Sequence, residues 1–336
     1  MLHDKKYVSL KSLYREGQRT RVEKNDILIS ITAELGKIGF VEDELGEAYV
    51  NQHVALVRIT SKQANPKFVA YYLAEANQRN LWQRLNDSGA KAGLNLQTIN
   101  KYPIYLPSLT EQITIADSLS TWDQAIERTE RLIAAKETRY SWLLRRMITK
   151  ECAQSGWKRL KLKDILGKEL IIAKGKALRK DNIIEGGIPV VAGGQTYAYY
   201  HGIATHEMAT ITVSASGAYA GFVWYHDYPI WASDCNVIYA KNASLQFFYY
   251  ALKFLQDKIY ALQSGGAQPH VYEKDLKNLI VPVPPIEIQK EIVSLLNNAR
   301  LEIDLLKKQA DAYRKQKRGL MQKLLTGKWR IKNEYT

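Results

Sequence analysis

Cysteine is nearly absent. Cys152 and Cys235 are the two in the sequence, far apart and part of no CxxC or Cys/His grouping, so neither a disulfide framework nor a zinc site is indicated and a reducing cytoplasm is the expected compartment. Long apolar runs are missing too: no stretch approaches the roughly 18 residues a membrane span requires. The opening Met1-Leu2-His3-Asp4-Lys5-Lys6 is too polar for a secretory leader, and a soluble protein without a membrane partner is expected. The common catalytic signatures are also lacking. There is no Gly-x-x-x-x-Gly-Lys-Ser/Thr loop, no His/Cys set at metal spacing and no Gly-x-Ser-x-Gly elbow. His3, His53, His201, His206, His226 and His270 are scattered, and no metal site is expected. A nuclease site of Asp, Glu and Lys carries no such motif, so that alternative stays open.

Positive charge, in contrast, is in surplus. The 48 Lys and Arg against 34 Asp and Glu leave +14, which favours a polyanionic partner, with nucleic acid first; a merely solvated basic surface is the rival. At 336 residues with 46% apolar content the chain can build two cores or more.

An internal repeat organises it. In LPSLTEQITIADSL from Leu106 and VPPIEIQKEIVSLL from Val283, Pro107 matches Pro284, Gln112 matches Gln289 and Leu119 matches Leu296, each 177 positions apart. Both segments leave a Pro-containing turn and enter a helix. Ile115, Leu119, Trp122, Ile126, Thr129, Ile133, Lys136, Tyr140, Leu143 and Met147 recur in alternating steps of four and three, a heptad seam. The second copy keeps the register at Ile292, Leu296, Ala299, Ile303, Leu306, Ala310, Tyr313, Lys317, Leu320 and Leu324. Mixed charges such as Glu127, Arg128, Glu130, Arg131, Lys307, Lys308, Asp311 and Arg314 suit solvated flanks. Each helix is roughly 40 residues and about 60 Å long, and its single apolar stripe is most simply buried against the other helix, antiparallel; a core helix on its own globule is the alternative.

Ahead of each helix lies strand, turn, strand patterning: ILISITAELGKIGFV from Ile27 and MATITVSASGAYAGFVW from Met208. Gly39-Phe40-Val41 aligns with Gly221-Phe222-Val223 at an offset of 182. Short helical patterns follow at Phe68 and Phe247, then glycine loops at Ser88-Gly89-Ala90 and Ser264-Gly265-Gly266. The expected fold is therefore α/β (α+β): two similar mixed α/β domains and two long helices forming an antiparallel coiled coil, a pseudo-two-fold internal repeat.

This order resembles the specificity subunits of type I restriction-modification systems, over nearly the whole chain. The carrying features are Gly156-Trp157-Lys158-Arg159-Leu160, the GFV strands, the Pro-x-x-x-Glu-Gln run from Pro107 to Gln112, and Leu324-Leu325-Thr326-Gly327-Lys328. The resemblance implies a first target-recognition domain over 1–108, a spacer helix over 109–152, a second recognition domain over 157–284, a second helix over 285–327 and a tail over 328–336. The counterpart of Trp157 would precede Met1 by about 25 positions, so the first domain is expected to be N-terminally incomplete. It also implies a non-catalytic reader of a bipartite, asymmetric duplex DNA target. Two modification (methyltransferase) subunits and an ATP-dependent restriction subunit are its implied partners. S-adenosylmethionine, ATP and Mg are implied on those partners and no cofactor on this chain. The Asn/Asp-Pro-Pro-Tyr tetrapeptide of adenine methyltransferases does not occur in it. A stand-alone nuclease and a non-specific basic coiled-coil nucleic-acid binder are the rivals.

Base readout needs donors and acceptors at loop tips, with cations for the phosphates. Lys174, Lys176, Arg179 and Lys180 surround Gly175 and read as phosphate-facing, or equally as a solvated loop. Gly193-Gly194-Gln195-Thr196-Tyr197-Ala198-Tyr199-Tyr200 is a base-reading candidate through Gln195, Tyr197 and Tyr199, or a packed strand. Ser216 and Tyr219, and Gln268 and His270 in the later glycine loop, are further candidates, as are Lys91 and Asn95 in the first copy. Arg15, Arg19, Arg21, Lys24 and Lys37 form the first domain's basic set, alternatively an exposed hairpin.

Overall fold

A computed structural model describes residues 17–75, 82, 94–154, 156–241, 243–266 and 268–331. The chain divides into two compact units: one holds residues up to Arg131 together with those from Lys307 onward, the other Leu132–Leu306.

In the second unit β4 (Lys158–Lys161) pairs with β12 (Ile280–Val283). The main sheet is antiparallel, with β5 (Leu170–Lys174), β11 (Cys235–Ala240), β8 (Thr210–Ser214) and β9 (Val223–His226) side by side in that order. A smaller sheet sets β6 (Ile188–Val191) between β7 (Tyr199–His201) and β10 (Trp231–Ala232). Every residue of β8 is buried, as expected of a β-branched strand covered on both faces. Its core joins Leu170, Ile211, Val213 and Ile238 to Phe247 and Phe248 of a helix at Leu245–Phe254, and to Ile148, Ile292 and Leu296 of the two long helices.

The first unit repeats the centre of that sheet: β1 (Ile27–Ser30) lies between β2 (Ile38–Phe40) and β3 (Val54–Val57), as β8 lies between β9 and β11. A helix at Pro66–Ala74 covers it, with Phe68, Leu73, Trp82, Ile115, Leu119 and Leu324 in the core. The turn fixes which residues correspond. Gly36 N donates to Ser30 O at 2.9 Å and Gly221 N to Ser214 O at 2.7 Å, and both glycines have positive φ, 73° and 92°. Gly36, not Gly39, is thus the counterpart of Gly221, and Ile38 pairs where Val223 does. The second unit's turn is one residue longer, and the shared Gly-Phe-Val string lies three positions out of the structural register.

The long helices span Leu109–Gln154 and Ile286–Leu324. Among the expected seam residues, Ile115, Leu119, Ile292, Leu296, Ile303 and Leu324 are buried, and Trp122, Ile126, Ile133, Tyr140, Leu143, Leu306, Tyr313 and Leu320 are partly buried. In the first unit Asp123 accepts from Lys317 at 2.5 Å, Glu130 pairs with Arg314, and Trp122 meets Tyr313 edge-on at 5.6 Å. In the second, Lys136 pairs with Glu302 at 2.5 Å. In the first unit partner numbers on one helix fall as those on the other rise, so the segments there run antiparallel.

The Gln112/Gln289 match has a physical cause. Gln112 Oε1 accepts from Asn65 N (2.8 Å) and its Nε2 donates to Gln63 O and Pro107 O (2.9 Å each). Gln289 Oε1 accepts from Ser244 N (3.0 Å) and its Nε2 donates to Pro284 O (2.9 Å). Asn65 and Ser244 are the N-caps of the short helices, so each buried amide stitches the start of a long helix to the start of the helix packed on it. In the first unit Arg330 adds a fork onto the Glu111 carboxylate, at 2.8 and 2.6 Å, and a bond to Tyr105 Oη.

Candidate nucleic-acid interface

In the second unit five loop segments meet at one end of the strands of the main sheet. The turn after β8 and the residue before β11 are joined by Ser216 Oγ donating to Asp234 Oδ2 and by Ala215 N donating to Asp234 O at 3.1 Å. The glycine loop closes on itself through paired Ser264 and His270 backbones, and docks through Gly217 N to Pro269 O (3.0 Å), Val271 N to Ala215 O (3.0 Å) and Gln268 Nε2 to Ser216 Oγ (3.4 Å). Asn236 Nδ2 supports it from β11, donating to Val271 O at 3.2 Å.

Two glycines permit the remaining approaches. A Cβ on Gly193 would sit 2.5 Å from Ser216 O, and one on Gly175 would sit 2.1 Å from Ser233 O. Backbone groups cannot yield as side chains do, so both positions require glycine. Gly175 N and Lys176 N donate to Cys235 O and Ala232 O, at 2.8 Å each, which sets Lys174 and Lys176 beside the same rim. Lys176 lies over the Trp231 ring at 5.6 Å. Lys174, Lys176, Gln195, Tyr219 and Gln268 are exposed there, His270 half-buried and Ser216 buried. Arg179 is exposed before the Lys180–Asn182 turn. The rim thus offers ammonium groups, amides and a hydroxyl-held carboxylate on glycine-rich backbone, a mixture suited to phosphates and base edges.

Tyr197 and Tyr199 belong elsewhere. Tyr197 stacks on Trp224 at 5.0 Å, its hydroxyl bonds Tyr228, and it packs with Val191, Ile230 and Val237, so the packed-strand alternative describes it. Tyr199 is a β7 residue paired with Val190. His226 is buried beneath this aromatic group and held near pH 4 by desolvation. Cys235 is buried, its thiol pushed up to about 12 by burial and the nearby Asp234 charge.

In the first unit Arg19, Arg21 and Lys24 are exposed. They flank a fixed hinge: Arg58 Nε and a terminal nitrogen clasp the buried Asp26 carboxylate at 2.8 Å each, and Glu23 N donates to it at 2.6 Å. Lys37 pairs with Glu34 in the β1–β2 turn. Asn95 caps a short helix, its Oδ1 accepting from Thr98 N at 2.7 Å. Arg15, Lys91 and the Ser88–Ala90 loop lie outside the described residues, as does the side chain of Lys180. Asp234 and Arg58 carry no signal in the sequence, because each is an isolated charge whose partner is distant in the chain. Among the described residues no group of His, Cys, Asp and Glu is placed to hold a metal ion, and no helix is long and apolar enough to cross a membrane.

The family profile described as "Type I restriction modification DNA specificity domain" matches residues 8–137 and 154–312. The chain is 24% identical over 340 residues to the putative type I restriction enzyme MjaX specificity subunit of Methanocaldococcus jannaschii, covering 91% of this chain and 79% of that protein. It is 23% identical over 298 residues to a putative type I specificity subunit of Mycoplasma pneumoniae, covering 83% and 79%. The crystal structure of the type I restriction-modification system S subunit from M. genitalium superposes with a TM-score of 0.69 at 19% identity, covering 95% of this chain and 91% of that one.

Proposed function

The chain belongs to the type I restriction modification DNA specificity family, and from that premise we propose that it is the DNA-reading subunit of a type I complex, one that performs no chemistry itself. The observation that carries this is the loop rim of the second unit, together with the same turn built again in the first. Lys174, Lys176 and Arg179 serve phosphates in one half-site, and Arg19, Arg21 and Lys24 in the other; the glycine-bordered loops address base edges. The paired helices act as the ruler that sets the unread gap. Two modification subunits bring S-adenosylmethionine to an adenine in each half-site, and a restriction subunit uses ATP and Mg, all in the cytoplasm.

The test is to exchange residues 157–282 for those of another specificity subunit and to map methylated sites in cells that also carry the modification subunit. One half of the bipartite motif changes and the other stays. A motif altered in both halves, or unaltered, would refute the assignment, and DNA cleavage by the purified chain alone would favour the nuclease alternative.

A further inference from the structure

The two units hold one polar residue at the same place by the same device, with different chemistry. In the second unit Asp234 directly precedes β11, Ser216 stands two residues after β8, and Ser216 Oγ bonds the Asp234 carboxylate. In the first unit His53 directly precedes β3, Thr32 stands two residues after β1, and Thr32 Oγ1 lies 2.9 Å from His53 Nδ1. The surrounding backbone corresponds bond for bond. Ala215 N donates to Asp234 O and Ile31 N to His53 O, while Val271 N donates to Ala215 O and Leu94 N to Ile31 O. Ser214 Oγ reaches Ser216 O as Ser30 Oγ reaches Thr32 O.

Asp234 and His53 are both exposed. A carboxylate beside Lys174 and Lys176 on a phosphate-seeking rim is repelled by DNA unless it finds a donor there. Base edges supply one as an exocyclic amino group, on cytosine N4 or adenine N6. With the Thr32 hydroxyl donating to Nδ1, the imidazole presents Nε2–H to the acceptors of guanine, N7 and O6; with Nδ1–H donating to the hydroxyl, Nε2 instead accepts from an exocyclic amino group.

We infer that Asp234 and His53 are the corresponding specificity-determining residues of the two half-sites, each oriented by its hydroxyl partner, Ser216 or Thr32. Their different chemistry makes the two half-sites differ. This rests on the DNA-reading function above and deepens it.

The experiment is methylation mapping on the complex containing the full chain, with Asp234→Asn and His53→Gln made separately. Asp234→Asn keeps the size and a bond to Ser216 but exposes an amide, which pairs with adenine N6 and N7. It shifts the preference at one position of one half-site by at least about tenfold, and His53→Gln relaxes one position of the other half. Ser216→Ala, which frees the carboxylate without removing it, relaxes the same position as Asp234→Asn. An unchanged motif in both variants overturns the inference. So does loss of modification everywhere by a chain that melts like the parent, because that assigns Asp234 to loop structure alone. If the parent chain itself directs no bipartite methylation, the DNA-reading function fails instead.

Discussion

Replacing Gln289 with Leu removes a buried amide that satisfies two backbone groups, Ser244 N–H at 3.0 Å and Pro284 C=O at 2.9 Å. The leucine nearly matches the volume but supplies neither partner. Each orphaned buried group costs about 1–3 kcal/mol, so the variant loses roughly 2–6 kcal/mol, less where water enters. The loss is local, because Ser244 opens the helix at Leu245–Phe254. Hydrogen exchange resolves it: the Ser244 and Phe247 amides exchange faster by two orders of magnitude or more, while Asn65 and Phe68 in the other unit keep their protection. Gln112→Leu reverses that pattern and costs more, since Gln112 makes three such bonds. Gln289→Glu keeps the acceptor for Ser244 N but, once ionised, cannot donate to Pro284 O, so it is milder only at acidic pH, where the protonated carboxyl can do both. Protection at Ser244 unchanged in Gln289→Leu would refute the stitching role.

Other consequences can be measured directly. His226 is held near pH 4 in the folded chain by burial against 6.5 when unfolded, so the unfolded state binds the extra proton first. Stability contributed by the neutral ring is complete above pH 6.5 and falls by about 3 kcal/mol on acidification to pH 4; His226→Phe flattens that part of the denaturation–pH curve, and an unchanged slope contradicts it. Gly175→Ala forces a Cβ to within 2.1 Å of Ser233 O, and weakens DNA retardation by the assembled complex while leaving helical circular dichroism within a few per cent; full binding would show that the rim is not where DNA sits. Arg58→Ala strips the buried Asp26 carboxylate of its clasp and destabilises the first unit by about 3 kcal/mol, the lower end for a broken buried pair because Glu23 N–H remains; chemical denaturation reads the midpoint shift, and a loss under 1 kcal/mol contradicts it.

The helices were the most legible part of the sequence. A seam in steps of four and three marks one narrow apolar face; Ile115, Leu119, Ile292 and Leu296 on it are buried in the cores of their units, while Trp122, Ile126, Ile133, Leu306 and Tyr313 are partly buried. Gln112 and Gln289 stood out as a match, but nothing local tells that a glutamine spans to a cap 47 or 45 residues away. The turn correspondence is hidden in the sequence because Gly39 and Gly221 share a string, whereas the property that matters, a positive φ at Gly36 and Gly221, has no letter. Lys174, Lys176 and Gln268 were legible as exposed polar residues bordering glycine. Asp234 and His53 were not, because their significance lies in hydroxyl partners across the sheet.

The ruler is tested most directly by inserting one heptad in each long helix, after Arg131 and after Leu306, so that each helix keeps its heptad register. Seven residues add about 10 Å, close to three base pairs of B-DNA at roughly 34 Å per turn. Methylation mapping then finds both half-sites intact with the gap longer by about three base pairs, or modification lost where the rotated half-site no longer faces its reader. The original gap, methylated at the original rate, would contradict the account.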